Sequence, residues 1–360
     1  MNVCIVAGAR PNFIKVAPIV RAISLACERG RDIHYTLVYT GREDDPTLEE
    51  SLFDDLQIAP PQVFLGVDCE NLNELTGQVM SAFERYLQGN PTDVVIVVDD
   101  LASTLAAAIV TKKQGIKLAH IVAGTRSFDI SMPKEINRLV IDGLSDLLFT
   151  AGMGSSSVAT REGAELSKIY MVGNILMDTL RFNLPRMRRP KVLDEMGIVG
   201  DYFVFTLNRK ALIAHPGNLA AMIQALLDNA HGIPVVAPLR DNIAQVVRDI
   251  SPSSLLFIPP LPYLEFGWLT SHAKGVITDS GNVAEEATFN GIPCVTLNSY
   301  TEHIETVNVG SNVLVGEDAG QLGQAVAKMA RGEWKDCGLP EKWDGRSAER
   351  IVQILMAIES

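Results

Sequence analysis

Short apolar, β-branched runs alternate along this chain with longer stretches whose apolar positions recur at helical spacing. The runs Val3–Ala7, Tyr35–Tyr39, Val94–Val98, Leu118–Val122, Leu147–Thr150 and Lys168–Met171 predict strands. A second series, Tyr202–Leu207, Pro234–Ala237, Leu255–Ile258, Gly275–Thr278 and Cys294–Leu297, predicts more. Phe13–Arg29, Asn71–Gln88, Ser103–Gln114, Asn218–Asn229, Asn282–Asn290 and the terminal Ala348–Ile358 read as helices. Alternation of this kind implies α/β architecture: doubly wound parallel sheets with helices on both faces. The strand rhythm pauses after Met171, where Pro185, Pro190 and Arg181, Arg186, Arg188 and Arg189 gather, and resumes near Tyr202. Two Rossmann-like domains are therefore expected, 1–171 and 172–344, facing one another across a cleft.

Composition narrows the class. The chain has 360 residues, 47% of them hydrophobic and 21% charged, which is ordinary for a globular protein and suits two domains. The net charge of −12 argues against nucleic acid or an anionic membrane as partner, because phosphates are repelled on average. No apolar run reaches the roughly 20 residues of a membrane span, and Asn2–Ala7 lacks the basic start of a signal peptide. Cys4, Cys27, Cys69, Cys294 and Cys337 are scattered without metal-like spacing, so reduced thiols in a cytoplasmic protein are expected, with no metal.

In open α/β sheets ligands bind beyond the carboxyl ends of the strands, so the strand-end loops are where chemistry belongs. Gly8-Ala9-Arg10 enters a helix holding Lys15; free N–H groups, the helix dipole and two cations suit an anion, although a plain turn would look similar. It is neither a dinucleotide fingerprint nor a Walker loop, so no such cofactor is implied. Asp99-Asp100 follows a wholly apolar strand; one of the two is free to cap the next helix, the other to face the cleft. His120, Arg126, Lys134, Glu135 and Arg138 cluster around a Gly turn and a helix start. Thr206-Leu207-Asn208-Arg209-Lys210 is a weaker polar loop. Thr278-Asp279-Ser280-Gly281 seats a phosphate by the helix-start argument, and Glu286 further along suits a ribose diol, though Glu285-Glu286 also reads as a polar helix face. Thr301-Glu302-His303 follows the next strand.

Taken in order, GARPNFIKVAP, DDLAST, HIVAGTRS, PKEINR, VGNILMDTL, DSGNVAEEATFNGIPCV and TEHIETVNVGSNVLVG resemble the non-hydrolysing UDP-N-acetylglucosamine 2-epimerase family, from Val3 to about Gly316. The resemblance implies the GT-B fold, with the terminal helix, 345–360, crossing back onto the first domain. It implies interconversion of UDP-GlcNAc and UDP-ManNAc without a cofactor, by loss of the C2 proton and of UDP, then protonation on the other face and return of UDP. A UDP-sugar is thus the implied ligand, and a homodimer is expected only because family members usually are dimers. Carried over by position, Arg10, Ser280 and Gly281 match diphosphate-binding residues, Glu286 the ribose-binding Glu, and Phe266 and the backbone near Leu261 the uracil surroundings.

The acid/base positions depart from the family. Asp100 and Glu135 are kept, but Val122 and Lys134 stand where the family has Glu, Asn208 where it has His, and His303 where it has Arg. Arg42-Glu43 and Arg240 likewise replace a Gln-His pair and a His at the activator positions of bacterial members. The catalytic set is read as Asp100, Glu135, Lys134 and Asn208; the substrate-binding set as Arg10, Lys15, Arg138, Leu261, Phe266, Ser280, Gly281, Glu286 and His303. Valine moves no proton, asparagine is no base, and a lysine beside Arg138 stays protonated. Three functions remain in view: a nucleotide-sugar enzyme with a rebuilt acid/base set and little ordinary UDP-GlcNAc 2-epimerase activity, a GT-B glycosyltransferase, and a nucleotide-sugar-binding protein without turnover.

Overall fold

The computed structural model describes residues 1–250 and 255–358. It holds two parallel sheets. The first contains β1 (Asn2–Ala7), β2 (His34–Tyr39), β3 (Val63–Phe64), β4 (Val94–Val98), β5 (Lys117–Ala123), β6 (Leu147–Thr150) and β7 (Ile169–Met171), in the spatial order β3-β2-β1-β4-β5-β6-β7. The second contains β8 (Phe203–Phe205), β9 (Val235–Pro238), β10 (Leu255–Ile258), β11 (Gly275–Thr278), β12 (Cys294–Thr296) and β13 (Asn312–Leu314), in the order β10-β9-β8-β11-β12-β13. All recorded pairings are parallel. The expected α/β class with two doubly wound sheets is what the chain adopts.

Each sheet is buried on both faces, which explains why its central strands are continuously apolar rather than alternating. In β1, Val3, Ile5 and Ala7 join Phe13, Ile19 and Ile23 of the helix Arg10–Glu28 on one face. Cys4 and Val6 join Phe83, Val95 and Val97 on the other. The two-residue period of a strand makes that division. Each large apolar side chain so buried contributes about 1.5–3 kcal/mol. The second unit repeats the scheme, with Phe203, Phe205 and Ile277 on one face and Val204, Val236 and Val276 on the other.

Two short edge strands, β3 and β13, are absent from the sequence expectation. At two and three residues they carry no period, and they form by pairing with β2 and β12. The domain boundary also differs. One compact unit is Met1–Phe182 plus the chain from Glu341, and the other is Asn183–Pro340, whereas the expected split lay after Met171. The helix Ile175–Asn183 stays with the first unit because Val172 and Ile175 pack into its core. The terminal helix Ser347–Ala357 belongs to that unit too. Ile351, Val352 and Leu355 enter the β1 core, Asp178 accepts the Ser347 and Ala348 N–H groups at 3.0 and 2.8 Å, and buried Trp343 donates to the Ala151 carbonyl at 3.0 Å. Residues 359 and 360 of the expected terminal helix lie outside the described residues. Among the described residues no helix is long and apolar enough to cross a membrane.

Candidate functional site

In both sheets the chain winds outward from a central strand and then returns to its other side, so a topological switch point falls between β1 and β4 and another between β8 and β11. Neighbouring connections there leave in opposite directions, and the strand ends open a crevice that binds ligands in this architecture. Most of the sequence-predicted residues lie near these two points, whereas Leu261 and Phe266 follow the edge strand β10; each is described within its own unit.

At the β1/β4 point, Asn12 caps the turn after β1, its Oδ1 accepting from the Gly8 and Ala9 N–H groups at 2.9 and 3.2 Å. Arg10 opens the helix and makes no ion pair among the described residues. Lys15 does not stand open to an anion: its Nζ lies 2.6 Å from Asp99 Oδ1. Asp99 has a left-handed backbone, φ 59°, which turns the chain sharply beyond β4. Neither Asp99 nor Asp100 caps the following helix; its N-cap is Leu101. Buried Asp100 instead receives Arg138 Nε and Nη2 on Oδ2 at 2.7 and 2.6 Å, and Lys134 Nζ lies 3.7 Å from Oδ1. Glu135 accepts from Ser127 N and Oγ and from Phe128 N at 2.9, 3.0 and 3.1 Å, and Arg138 Nη1 approaches at 3.4 Å. Burial alone would raise the Glu135 carboxyl; these donors and the guanidinium outweigh it and hold it below the ordinary value.

The expected cluster of His120, Arg126, Lys134, Glu135 and Arg138 divides in two. Lys134, Glu135 and Arg138 surround Asp100, as above. His120 and Arg126 turn to Asp142 and Glu162, partners the sequence did not point to. His120 Nδ1 is 2.6 Å from Asp142 Oδ1, and Arg126 Nη2 is 2.7 Å from Asp142 Oδ2 and 2.5 Å from Glu162 Oε2. Only the helical register four and seven residues after Arg138 and Glu135, which puts Asp142 on the same buried face, could have signalled it. Val122, a β-branched residue, sits at φ 67° where the β5–β6 register shifts. Such a conformation costs on the order of 1–3 kcal/mol and persists only where the surroundings impose it.

At the β8/β11 point the helix Gly281–Asn290 starts directly after β11. Its N-cap, Ser280, makes no side-chain cap bond, so the first N–H groups of the helix keep no side-chain partner. A Cβ on Gly281 would meet nothing within 4 Å. The fold does not require a glycine there, and its use leaves room for close approach to the helix start. Ser280 and Gly281 line a cavity of about 260 Å³ together with Glu285, Asn298, Tyr300 and Thr301. Glu286 is 7% exposed and accepts no hydrogen bond among the described residues. Burial, and then the neighbouring Glu285 carboxylate, push its carboxyl up to about 8. Glu285, not Glu286, lines the cavity, and buried His303 holds its Nε2 3.6 Å from Glu285 Oε1. Asp279 Oδ2 accepts the Asn208 and Arg209 N–H groups at 2.6 and 2.5 Å, while Asp279 Oδ1 is buried without a partner among the described residues. Asn208 is exposed at the end of β8. Leu261 and Phe266, partly buried against the core, stand before and in the helix Tyr263–Ser271.

Comparison with known proteins decides the family. The family model described as UDP-N-acetylglucosamine 2-epimerase matches residues 25–356. The UDP-N-acetylglucosamine 2-epimerase of Methanocaldococcus jannaschii is 32% identical over 370 residues, covering 99% of each chain. The chain belongs to the UDP-N-acetylglucosamine 2-epimerase family. The UDP-2,3-diacetamido-2,3-dideoxy-D-glucuronate 2-epimerase of Pseudomonas aeruginosa is 33% identical over 322 residues, 88% of each chain. A crystal structure of the M. jannaschii enzyme in complex with UDP-GlcNAc and UDP matches with a TM-score of 0.83 and 31% identity, covering 99% of this chain and 100% of that one. The fold is therefore the GT-B fold of these epimerases, and an epimerase-like isomerase is the class of enzyme. Among the described residues no group of three or more His, Cys, Asp or Glu is placed to hold a metal ion.

Proposed function

We propose that this chain is a UDP-sugar 2-epimerase, acting on UDP-GlcNAc or a related 2-acylamino UDP-sugar by elimination and re-addition of UDP. The observation that carries the reading is Glu286, a buried carboxyl group that accepts no hydrogen bond among the described residues, on the helix that starts at Ser280-Gly281. A ribose diol brings two O–H donors to such a group and offsets the cost of its burial. The uncapped helix start suits phosphate oxygens. Arg10 is assigned to the diphosphate with Lys15 behind it, Phe266 and the Leu261 backbone to the uracil, and His303, in the loop after β12, to the sugar-phosphate.

In the chemical step the C2–H bond breaks, its electron pair forms the C1–C2 double bond, and UDP leaves C1. Asp100 is the base in this reading, oriented by Arg138. The exposed Lys134 ammonium, 3.7 Å from Asp100, is the proton donor, and Glu135 holds Ser127 and Phe128 in place. Water protonates C2 on the opposite face, Asp100 returns its proton to the hydroxide left behind, and the phosphate oxygen returns to C1, passing its proton back to Lys134, to complete the exchange. Val122 and Asn208 contribute no proton, so turnover is slow. All five cysteines are free, which supports the cytoplasm as the compartment. Exposed Ile136, Leu139 and Val140 at helical spacing, with Phe128 and Ile130 in the preceding loop, support a homodimer.

Incubation with UDP-GlcNAc and with 2,3-diacetamido UDP-sugars in D2O tests the reading. Slow deuterium incorporation at C2 without any acceptor is expected. UDP release that requires an acceptor, or no C2 exchange with any 2-acylamino UDP-sugar, would overturn it.

A further inference from the structure

Below the Asp100 cluster lies a buried pair that none of the foregoing chemistry uses. His120, 1% exposed, points Nδ1 at Asp142 Oδ1 (2.6 Å) and Nε2 at the backbone carbonyl of Asp99 (2.9 Å). A carbonyl oxygen only accepts, so Nε2 must donate; a carboxylate only accepts, so Nδ1 must donate as well. An imidazole satisfied at both ends in this way carries both protons, and its charge is balanced by Asp142. The other charged groups facing the pair agree. Arg126 lies on the far oxygen of Asp142 at 2.7 Å and is itself held by Glu162, while the Asp99 side chain turns away to Lys15 and Asn12. Burial alone would raise the Asp142 carboxyl, yet His120, Arg126 and the Gly124 N–H outweigh it and hold it below the ordinary value.

The pair ties together three segments: the end of β4, the turn after β5 and the helix Pro133–Leu144. Through Nε2 it holds the Asp99 peptide, whose left-handed φ of 59° sets where the chain delivers Asp100. Asp142 Oδ2 accepts the Gly124 N–H at 2.9 Å, just beyond the strained Val122, so the pair also pins the kink after β5. A side chain on Gly124 would strike the Ser155 carbonyl at 2.2 Å, so this turn cannot relax that way. Asp142 itself lies in the helix Pro133–Leu144, which carries Lys134, Glu135 and Arg138.

We propose that His120, as a buried imidazolium bridging Asp142 and the Asp99 carbonyl, is a positioning residue that registers Asp100 against Arg138 and Lys134. It touches no substrate; it acts through the backbone on the group that does. This inference rests on the reading of Asp100 as the base, and the experiment separates the two. Histidine-selective 15N NMR, with the resonance assigned by its loss in His120→Gln, reads the charge directly. A cationic ring at neutral pH is expected, and a neutral tautomer overturns the proposal whether or not the protein turns over. In C2 exchange, His120→Gln should lower kcat at least tenfold with UDP affinity unchanged within twofold. Asp142→Asn, which keeps the shape and removes the balancing charge, is the second variant if His120→Gln fails to fold, and should likewise lower kcat with UDP affinity unchanged within twofold. A kcat unaffected by both variants, while Asp100→Asn abolishes exchange, overturns the positioning role alone. An unchanged rate in Asp100→Asn sinks the reading on which it rests.

Discussion

The two switch points have the same topology and opposite electrostatic character. At the β1/β4 point, Lys15, Arg126, Lys134 and Arg138 each face a carboxylate, and only Arg10 among the residues assigned there has none among the described residues. At the β8/β11 point several polar groups have no side-chain partner among the described residues: the Glu286 carboxyl, Asp279 Oδ1 and the helix start at Ser280-Gly281. Buried polar groups are paired in the great majority of cases, so an unpaired set at a strand end marks where something else supplies the partners. A satisfied set marks groups held in fixed orientation before any ligand arrives. In the proposed function this contrast corresponds to nucleotide binding by the second unit and chemistry in the first, a division that the following measurements can break.

The largest effect belongs to chemistry. Asp100→Asn should reduce C2 exchange by about 10²–10⁴-fold, the usual contribution of a general base, while calorimetry returns the wild-type affinity for UDP. A parallel loss of UDP affinity would mean that the paired set also binds the nucleotide, and the division would fail. The reverse change, Val122→Glu with Lys134→Glu and Asn208→His, should raise exchange above wild type. The left-handed backbone at Val122 accepts a glutamate more readily than a β-branched side chain. No gain would show that the lost side chains are not what limits the rate.

Arg10 is the exception in its unit, and therefore the sharpest probe. Arg10→Ala should weaken UDP more than uridine by about 1.5–3 kcal/mol, the worth of a charge-assisted hydrogen bond. Equal losses for both ligands would remove it from the diphosphate. Next comes Glu286→Ala, which should weaken UDP by about 1–3 kcal/mol by leaving the ribose hydroxyls unpaired. An unchanged affinity would favour Glu285, which lines the cavity, as the diol acceptor.

The sequence carried the sheets because their strands are buried on both faces and read as unbroken apolar runs, as Val94–Val98 does. It lost β3 and β13, where pairing rather than pattern makes the strand. Ser280, Gly281 and Glu286 were legible as a set because one strand end and one helix hold them all in consecutive sequence. The partition of the other cluster was not. His120 and Arg126 look like neighbours of Glu135 in sequence, and only the opposite facing of side chains along β5 and the register of Asp142 send them elsewhere. The ion pair of Lys15 was hidden for the same reason: its partner, Asp99, arrives from a distant strand.

The smallest effect is a pH dependence that separates the two units without any turnover. Glu286 has its carboxyl raised from 4.5 to about 8 by burial and by Glu285, so the folded protein keeps a proton that the unfolded chain has released. Its contribution to stability is therefore complete below about pH 4.5 and is lost as pH rises towards 8, by at most about 1.36 kcal/mol per pH unit. Asp178, raised to about 6 by burial, acts with the same sign at lower pH, so the Glu286 contribution is read as the part of the fall between pH 6 and 8 that Glu286→Gln removes. Across that window wild-type stability should fall, and Glu286→Gln should flatten the curve. Saturating UDP should offset the fall increasingly as pH rises, because ribose hydroxyls donate to the ionised carboxylate, and should do so much less in Glu286→Gln. A wild-type curve that stays level between pH 6 and 8 would show that Glu286 has a partner in solution, and the unpaired character assigned to the β8/β11 point would no longer hold.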